Sequence, residues 1–193
     1  MANLEQVTLL KQSIGLWNQW RKENSSIIPD LSETDLSKTR LEKANLVSAD
    51  LHGTLLVEAK LQKADLYLAN LRHTNFRNAN LAGANMNKVD LYQANLIRAN
   101  LRGALLREAI LYEAVLIQAN LAGADLDKAN LRGAKMHMVN LTFASLAEAK
   151  LNDADLRGAN LRGTNFTDAV LIGANLLGST MYGVILTGSK RWN

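Results

Sequence analysis

Large apolar side chains recur at every fifth position from Leu31 to Leu186, with no break in register. These 32 centres are 27 Leu, three Met (Met86, Met136, Met181) and two Phe (Phe76, Phe166). Two positions before each centre the residue is small: Ala in 22 cases, Thr in five, with Val89, Val139, Val184, Ser179 and Pro29 completing the set. Asn or Asp stands immediately before the centre in 20 of the 32. The unit is therefore A(N/D)LXX. A period of five fits neither regular element. On an α-helix five residues advance about 500°, which spreads the leucines around all sides. In a flat strand an odd step flips the side at each repeat. The chain must bend once per repeat so that every centre returns to one axis. Stacked bends then bury a continuous column that no single repeat could bury alone.

A second period sets the size of a coil. Asn80, Asn100, Asn120, Asn140 and Asn160 recur before the centre, and Gly83, Gly103, Gly123, Gly163 and Gly183 recur two places after it, with Phe143 the exception in the glycine series. Twenty residues per coil means four repeats, a square cross-section and eight coils. At about 4.8 Å between paired strands the rod is roughly 38 Å long. The unbroken A(N/D)LXX run resembles the pentapeptide-repeat family over about four-fifths of the chain. That resemblance implies an all-β solenoid, a right-handed quadrilateral β-helix; the handedness comes from the resemblance and not from the spacing.

Residues 1–29 lie outside the repeat. Val7, Leu9, Leu10, Ile14, Leu16, Trp17 and Trp20 fall on one half of a helical wheel, opposite Lys11, Gln12, Asn18, Gln19 and Lys22. Asn3 is a candidate N-cap, with Gln6 three residues on. A solenoid needs a polar-backed cap over its end, and this segment supplies one. A straight helix over residues 4–23 would be about 30 Å long, against a coil roughly 15 Å across at about 3.3 Å per residue. A break near Gly15, or an overhang, is expected. The string WNQWRKEN followed by IIPDLS is similar to leaders of cyanobacterial family members. The expected organisation is a helical cap over 1–29, the β-helix over 30–188 and a tail over 189–193. At the C-terminal end two readings stay open: Trp192 folds over the last coil, or Met181, Val184 and Leu186 meet a second copy in a homodimer.

Composition narrows the function classes. The 193 residues suit one domain. Only 5% are aromatic, so the core is built from small aliphatic side chains. A formal net charge of +4 demands neither nucleic acid nor an anionic membrane. There is no cysteine, which excludes disulfides and thiolate metal sites. The N-terminus lacks a basic region followed by an apolar run, and no apolar stretch approaches the length of a membrane span. The cytoplasm is the expected location.

The catalytic search is nearly empty. His52 and His73 fall on one face in successive coils, but Arg72 beside them opposes a metal and no third ligand stands nearby. Asp125, Asp127, Glu148 and Asp168 cluster late in the rod, interleaved with Lys128; a solvated face is the simpler reading than a Ca²⁺ site. No cofactor or metal is therefore expected, and no enzyme. The Asn column reads as a ladder of amides between coils. One face is basic, with Arg40, Lys43, Lys60, Lys63, Arg102 and Arg162 against Glu42. No aromatic residues alternate with the lysines, which counts against single-strand stacking.

The sharpest irregularity is ALLREAILYEAVLIQ over 104–118, where Leu105, Ile110 and Val115 replace the usual Asn or Asp. Tyr112 and Ile117 follow their centres, and Tyr92 and Ile97 lie one coil below them. Two readings stand side by side: β-branched and aromatic residues suit strands in any case, and exposed apolar clusters mark interaction sites, on which reading Tyr92, Ile97, Ile110, Tyr112, Val115 and Ile117 form the candidate protein-binding patch. The expectation is a scaffold that presents this rigid surface to another protein. The family resemblance also permits a regulatory role, and raises a DNA mimic that binds a topoisomerase. DNA carries one charge per about 1.7 Å, so a mimic of this length wants roughly twenty negative charges. Residues 30–188 hold 16 acidic and 17 basic side chains, which disfavours the mimic.

Overall fold

The computed structural model describes residues 2–191. Two short helices, α1 (Leu4–Gln12) and α2 (Ile14–Glu23), precede a coil of single-residue parallel bridges that joins residue i to residue i+20, from Asp30↔Asp50 to Val170↔Lys190. The four repeats of each coil make four faces of a right-handed quadrilateral β-helix. The first face is built on Leu31, Leu51 and their successors, the second on Leu36, the third on Leu41 and the fourth on Leu46. The centres and the small residues before them form one continuous core, almost wholly sealed from Leu31 to Leu171. Three of the five threonines at the small position also enter it. Thr54, Thr74 and Thr164 are fully buried, and each hydroxyl donates to a carbonyl of the coil below, at Leu31, Leu51 and Leu141, all at 2.9 Å. A buried hydroxyl without a partner would cost more than the methyl gains.

The motif follows from where the backbone N–H groups go. In the repeat around Leu41, the centre donates forward to Lys60 O (2.7 Å), and Lys43 donates forward to Gln62 O (3.0 Å). Ala44 closes the turn on Leu41 O (3.1 Å), and the residue before each later centre donates back, as Asn80 does to Ala59 O (2.9 Å). One N–H per repeat, on the residue after the centre, has no place in this ladder. Each of the 20 Asn or Asp residues accepts that N–H through its own side chain. These are Asx turns. The Asn column is thus first a set of turn caps. It forms an amide ladder only in places, from Asn100 to Asn80 and from Asn140 to Asn120, both at 3.2 Å.

The helices sit over the first coil. The helical segment breaks at Ser13, two residues before Gly15, and Ser13 Oγ accepts Leu16 N–H to cap α2. Asn3 caps α1, accepting Glu5 N–H and Gln6 N–H. Gln6 does not close a capping box on Asn3; its Oε1 accepts Asp30 N–H at 2.9 Å and so ties α1 to the first bridge. Trp17 is fully buried, whereas Leu16, assigned by the wheel to the apolar face, is 47% exposed. The break rotates α2 relative to α1, so one wheel does not describe both. Arg21 is buried and donates to Ile27 O (2.7 Å) and Val47 O (3.0 Å), and burial pulls its pKa down.

Candidate functional site

All six candidate patch residues point outward, and none enters the core. Tyr92, Ile110 and Tyr112 stand on the first face, Ile97, Val115 and Ile117 on the second. Tyr112 lies on Tyr92 with ring centroids 5.7 Å apart and planes 12° from parallel. Below them the Arg72 guanidinium sits 4.5 Å from the Tyr92 centroid and pairs with Asp90 at 2.9 Å. His73 meets the edge of Tyr92. Tyr92 is thus held in one orientation by packing on both sides, and Tyr112 rests on it. A hydrogen bond with Glu113 raises the Tyr112 pKa, and Glu113 is lowered, chiefly by Gln93 and then by Tyr112. Above the patch, Gln118 reaches the Met138 sulfur at 3.9 Å, and Met138 is itself exposed. The sequence pattern of residues 104–118 did not signal Met138, because it falls outside that stretch.

The aliphatic residues of this belt have a second effect. With Ile110 and Val115 in place of Asn or Asp, the N–H groups of Tyr112 and Ile117 lose the Asx acceptor. Arg107, after Leu105, is rescued by Asn87 of the coil below at 2.8 Å. Among the described residues no such neighbour serves Tyr112 or Ile117. The belt therefore combines apolar side chains with main-chain donors turned to the surface.

The other candidates separate. His52 contacts Asp50 Oδ1 through Nδ1 at 3.0 Å and lies 3.7 Å from Glu33, while His73 packs on Tyr92. Asp125 and Asp127 share Arg107 (3.3 and 2.9 Å), and Glu148 pairs with Lys128 (3.6 Å). Among the described residues no three His, Cys, Asp or Glu side chains form a metal-holding group. Nor is any helix there long and apolar enough to cross a membrane.

The third face is the basic one. Of Arg40, Lys43, Lys60, Lys63, Arg102 and Arg162, only Arg40 has a carboxylate within ion-pair distance, Glu42 at 3.6 Å, among the described residues. Phe143, which interrupts the glycine column of this face, is 67% exposed. Its ring lies over Gly163, where a Cβ would run into it. At the C-terminal end Met181 is 38% exposed, and Val184 and Leu186 are only partly buried. Trp192 lies outside the described residues.

Comparison with known proteins agrees with this architecture. No curated protein matches the chain in sequence. HetL from Nostoc sp. strain PCC 7120, a pentapeptide repeat protein involved in heterocyst differentiation regulation, is 32% identical over 83% of this chain and 86% of its own, with a TM-score of 0.41. Full-length QnrB1, a plasmid-mediated fluoroquinolone resistance protein, is 17% identical over 84% and 93%, with a TM-score of 0.53, a likeness of fold alone. A pentapeptide repeat protein of the Arabidopsis thaliana thylakoid lumen is 29% identical over 69% and 68%, with a TM-score of 0.22. The model of pentapeptide repeats matches residues 30–62, 64–103, 109–146 and 149–188 in eight copies, a span that takes in every residue of the sealed leucine column except Leu106. The chain therefore belongs to the pentapeptide repeat family.

Proposed function

We propose that this protein is a non-catalytic interaction scaffold that binds another protein through the belt of Tyr92, Ile97, Ile110, Tyr112, Val115 and Ile117. The observation that carries this reading is the stacked Tyr92–Tyr112 pair, an aromatic surface set on rigid backbone. Binding there costs little ordering entropy, and tyrosine brings a large ring with a polar tip. A scaffold without chemistry acts only through what it binds, so a regulatory role suits it. The cytoplasm is the compartment proposed, which cell fractionation checks. A DNA mimic is disfavoured, because the third face is basic and the repeats as a whole are near neutral. The same reading gives the C-terminal end to self-association through Met181, Val184 and Leu186. Sedimentation of wild type should give a dimer and Met181→Glu a monomer.

The test of the belt is the double variant Tyr112→Ser, Ile117→Ser. Its melting temperature should stay near that of wild type, because neither side chain enters the core. It should lose a partner that wild type retains in affinity capture from the native organism. A variant that keeps the partner, or one that loses stability first, would make the belt ordinary surface packing.

A further inference from the structure

The third face differs from the others in composition: it sets Arg40, Lys43, Lys60, Lys63, Arg102 and Arg162 against a single carboxylate, Glu42. On the fourth face, Lys88, Arg107 and Lys128 all pair with carboxylates across adjacent coils. On the third, Lys43, Lys60, Lys63, Arg102 and Arg162 have no such partner among the described residues. Unpaired like charges held on one rigid face repel, and an anion placed among them relieves that repulsion.

One of these charges, Arg102, borders a cavity. About 370 Å³ opens between Arg102 at one side and Phe143 at the other, with Ala122 and Gly123 as floor and Asn120, Asn140 and Thr142 as wall. Lys63 leans along the same line toward it, its Cγ lying 3.6 Å from where a Cβ on Gly83 would sit. The face thus offers, in order along the rod, cations, an uncharged floor with a guanidinium, and an exposed aromatic ring.

We propose that this face docks an extended acidic segment of a partner protein, with carboxylates on Lys63 and Arg102 and an apolar side chain in the cavity against Phe143. Charge complementarity selects the occupant. A nucleic-acid strand carries a phosphate at every nucleotide, and those opposite the two successive coils of Asn120, Ala122 and Gly123 and of Asn140, Thr142 and Phe143 would find no cation in either coil. A peptide can set its acids at intervals and lay neutral residues against that stretch. The surface is separate from the belt on the first and second faces.

The experiment is fluorescence anisotropy on the full chain with two labelled probes: a decapeptide of glutamates flanking a central leucine, and a ten-nucleotide oligothymidylate. The peptide should bind wild type and outcompete the oligonucleotide. Lys63→Glu and Arg102→Glu should each weaken it by about tenfold or more, as expected when one side of a charge pair is reversed. Ala122→Trp, which fills the cavity without adding charge, should weaken it as well. All three variants should melt with wild type, since each side chain stands outside the core. Absence of peptide binding, preference for the oligonucleotide, or equal peptide affinity in the variants would each overturn the proposal.

Discussion

The indole Nε1 of Trp17 donates to the carbonyl oxygen of Asn45 at 2.8 Å, joining a helix to the last corner of the first coil. Next to it Asn18 accepts Asn45 N–H at 2.8 Å and donates to Lys43 O at 3.0 Å. The cap thus satisfies, with side chains, main-chain groups that a preceding coil would otherwise serve, while Trp17 covers the end of the leucine column. Trp17→Ala should cost about 3–5 kcal/mol, the range for deleting a buried aromatic. Removal of residues 1–26 should expose the ring from Leu31 to Leu46 and drive aggregation or end-to-end association. Calorimetry and light scattering check both. A truncated protein that remains monomeric and equally stable would free the helices for another role.

The Asx caps predict an exchange between stability and binding. Asn160→Ala should cost about 1 kcal/mol, the net worth of one hydrogen bond, as Arg162 N–H loses its acceptor. Ile110→Asn and Val115→Asn run the other way. They return an acceptor to Tyr112 N–H and Ile117 N–H and should raise the melting temperature while weakening partner capture. Both quantities moving in the same direction would contradict the pairing of cap and belt.

Phe143 and Gly163 form a coupled pair. Gly163 has φ +65°, and any Cβ there would run into the Phe143 ring. Gly163→Ala carries two costs, about 1–2 kcal/mol for the left-handed backbone and the displacement of the ring. In a Phe143→Ala background only the first should remain. A double-mutant cycle by denaturant melts measures the difference; equal costs in the two backgrounds would mean the ring moves freely.

Lowered carboxylates, Asp30 and Asp155 among them, make the rod sensitive to acid. The Ser32 hydroxyl and N–H hold Asp30 below the usual carboxylate range. Arg157 does the same for Asp155, gripping it through two nitrogens at 2.8 and 2.7 Å. Folded pKa values below the unfolded value, about 3.9, mean stability that is complete above it. That stability is lost as pH falls through the folded values. The melting temperature should therefore be flat near neutrality and drop in acid, and the drop should be shallower in Asp155→Asn.

Much of this was legible in the sequence because the solenoid leaves few choices. Leu121 and its equivalents fix which way each side chain points, and Asn80 to Asn160 fix the number of repeats per coil. The outward placement of Tyr112 and Ile117 follows from the same register. The reason for Asn or Asp before the centre was not legible, since it depends on which N–H the coil leaves unpaired. Nor was the ring of Phe143 on Gly163, which is a matter of rotamer. The helices were read as one wheel, and the wheel failed at Leu16 because Ser13 stops the first helix before Gly15 is reached.

The pairing of each residue with the one twenty positions on has a genetic reading. A single inserted codon within the repeats would break the match of residue with residue at that coil and force a bulge there. Duplication of one whole coil would instead be read as another layer of the same rod, with the cap and the belt left as they were. Length in such a molecule can change by copying, while its cross-section cannot.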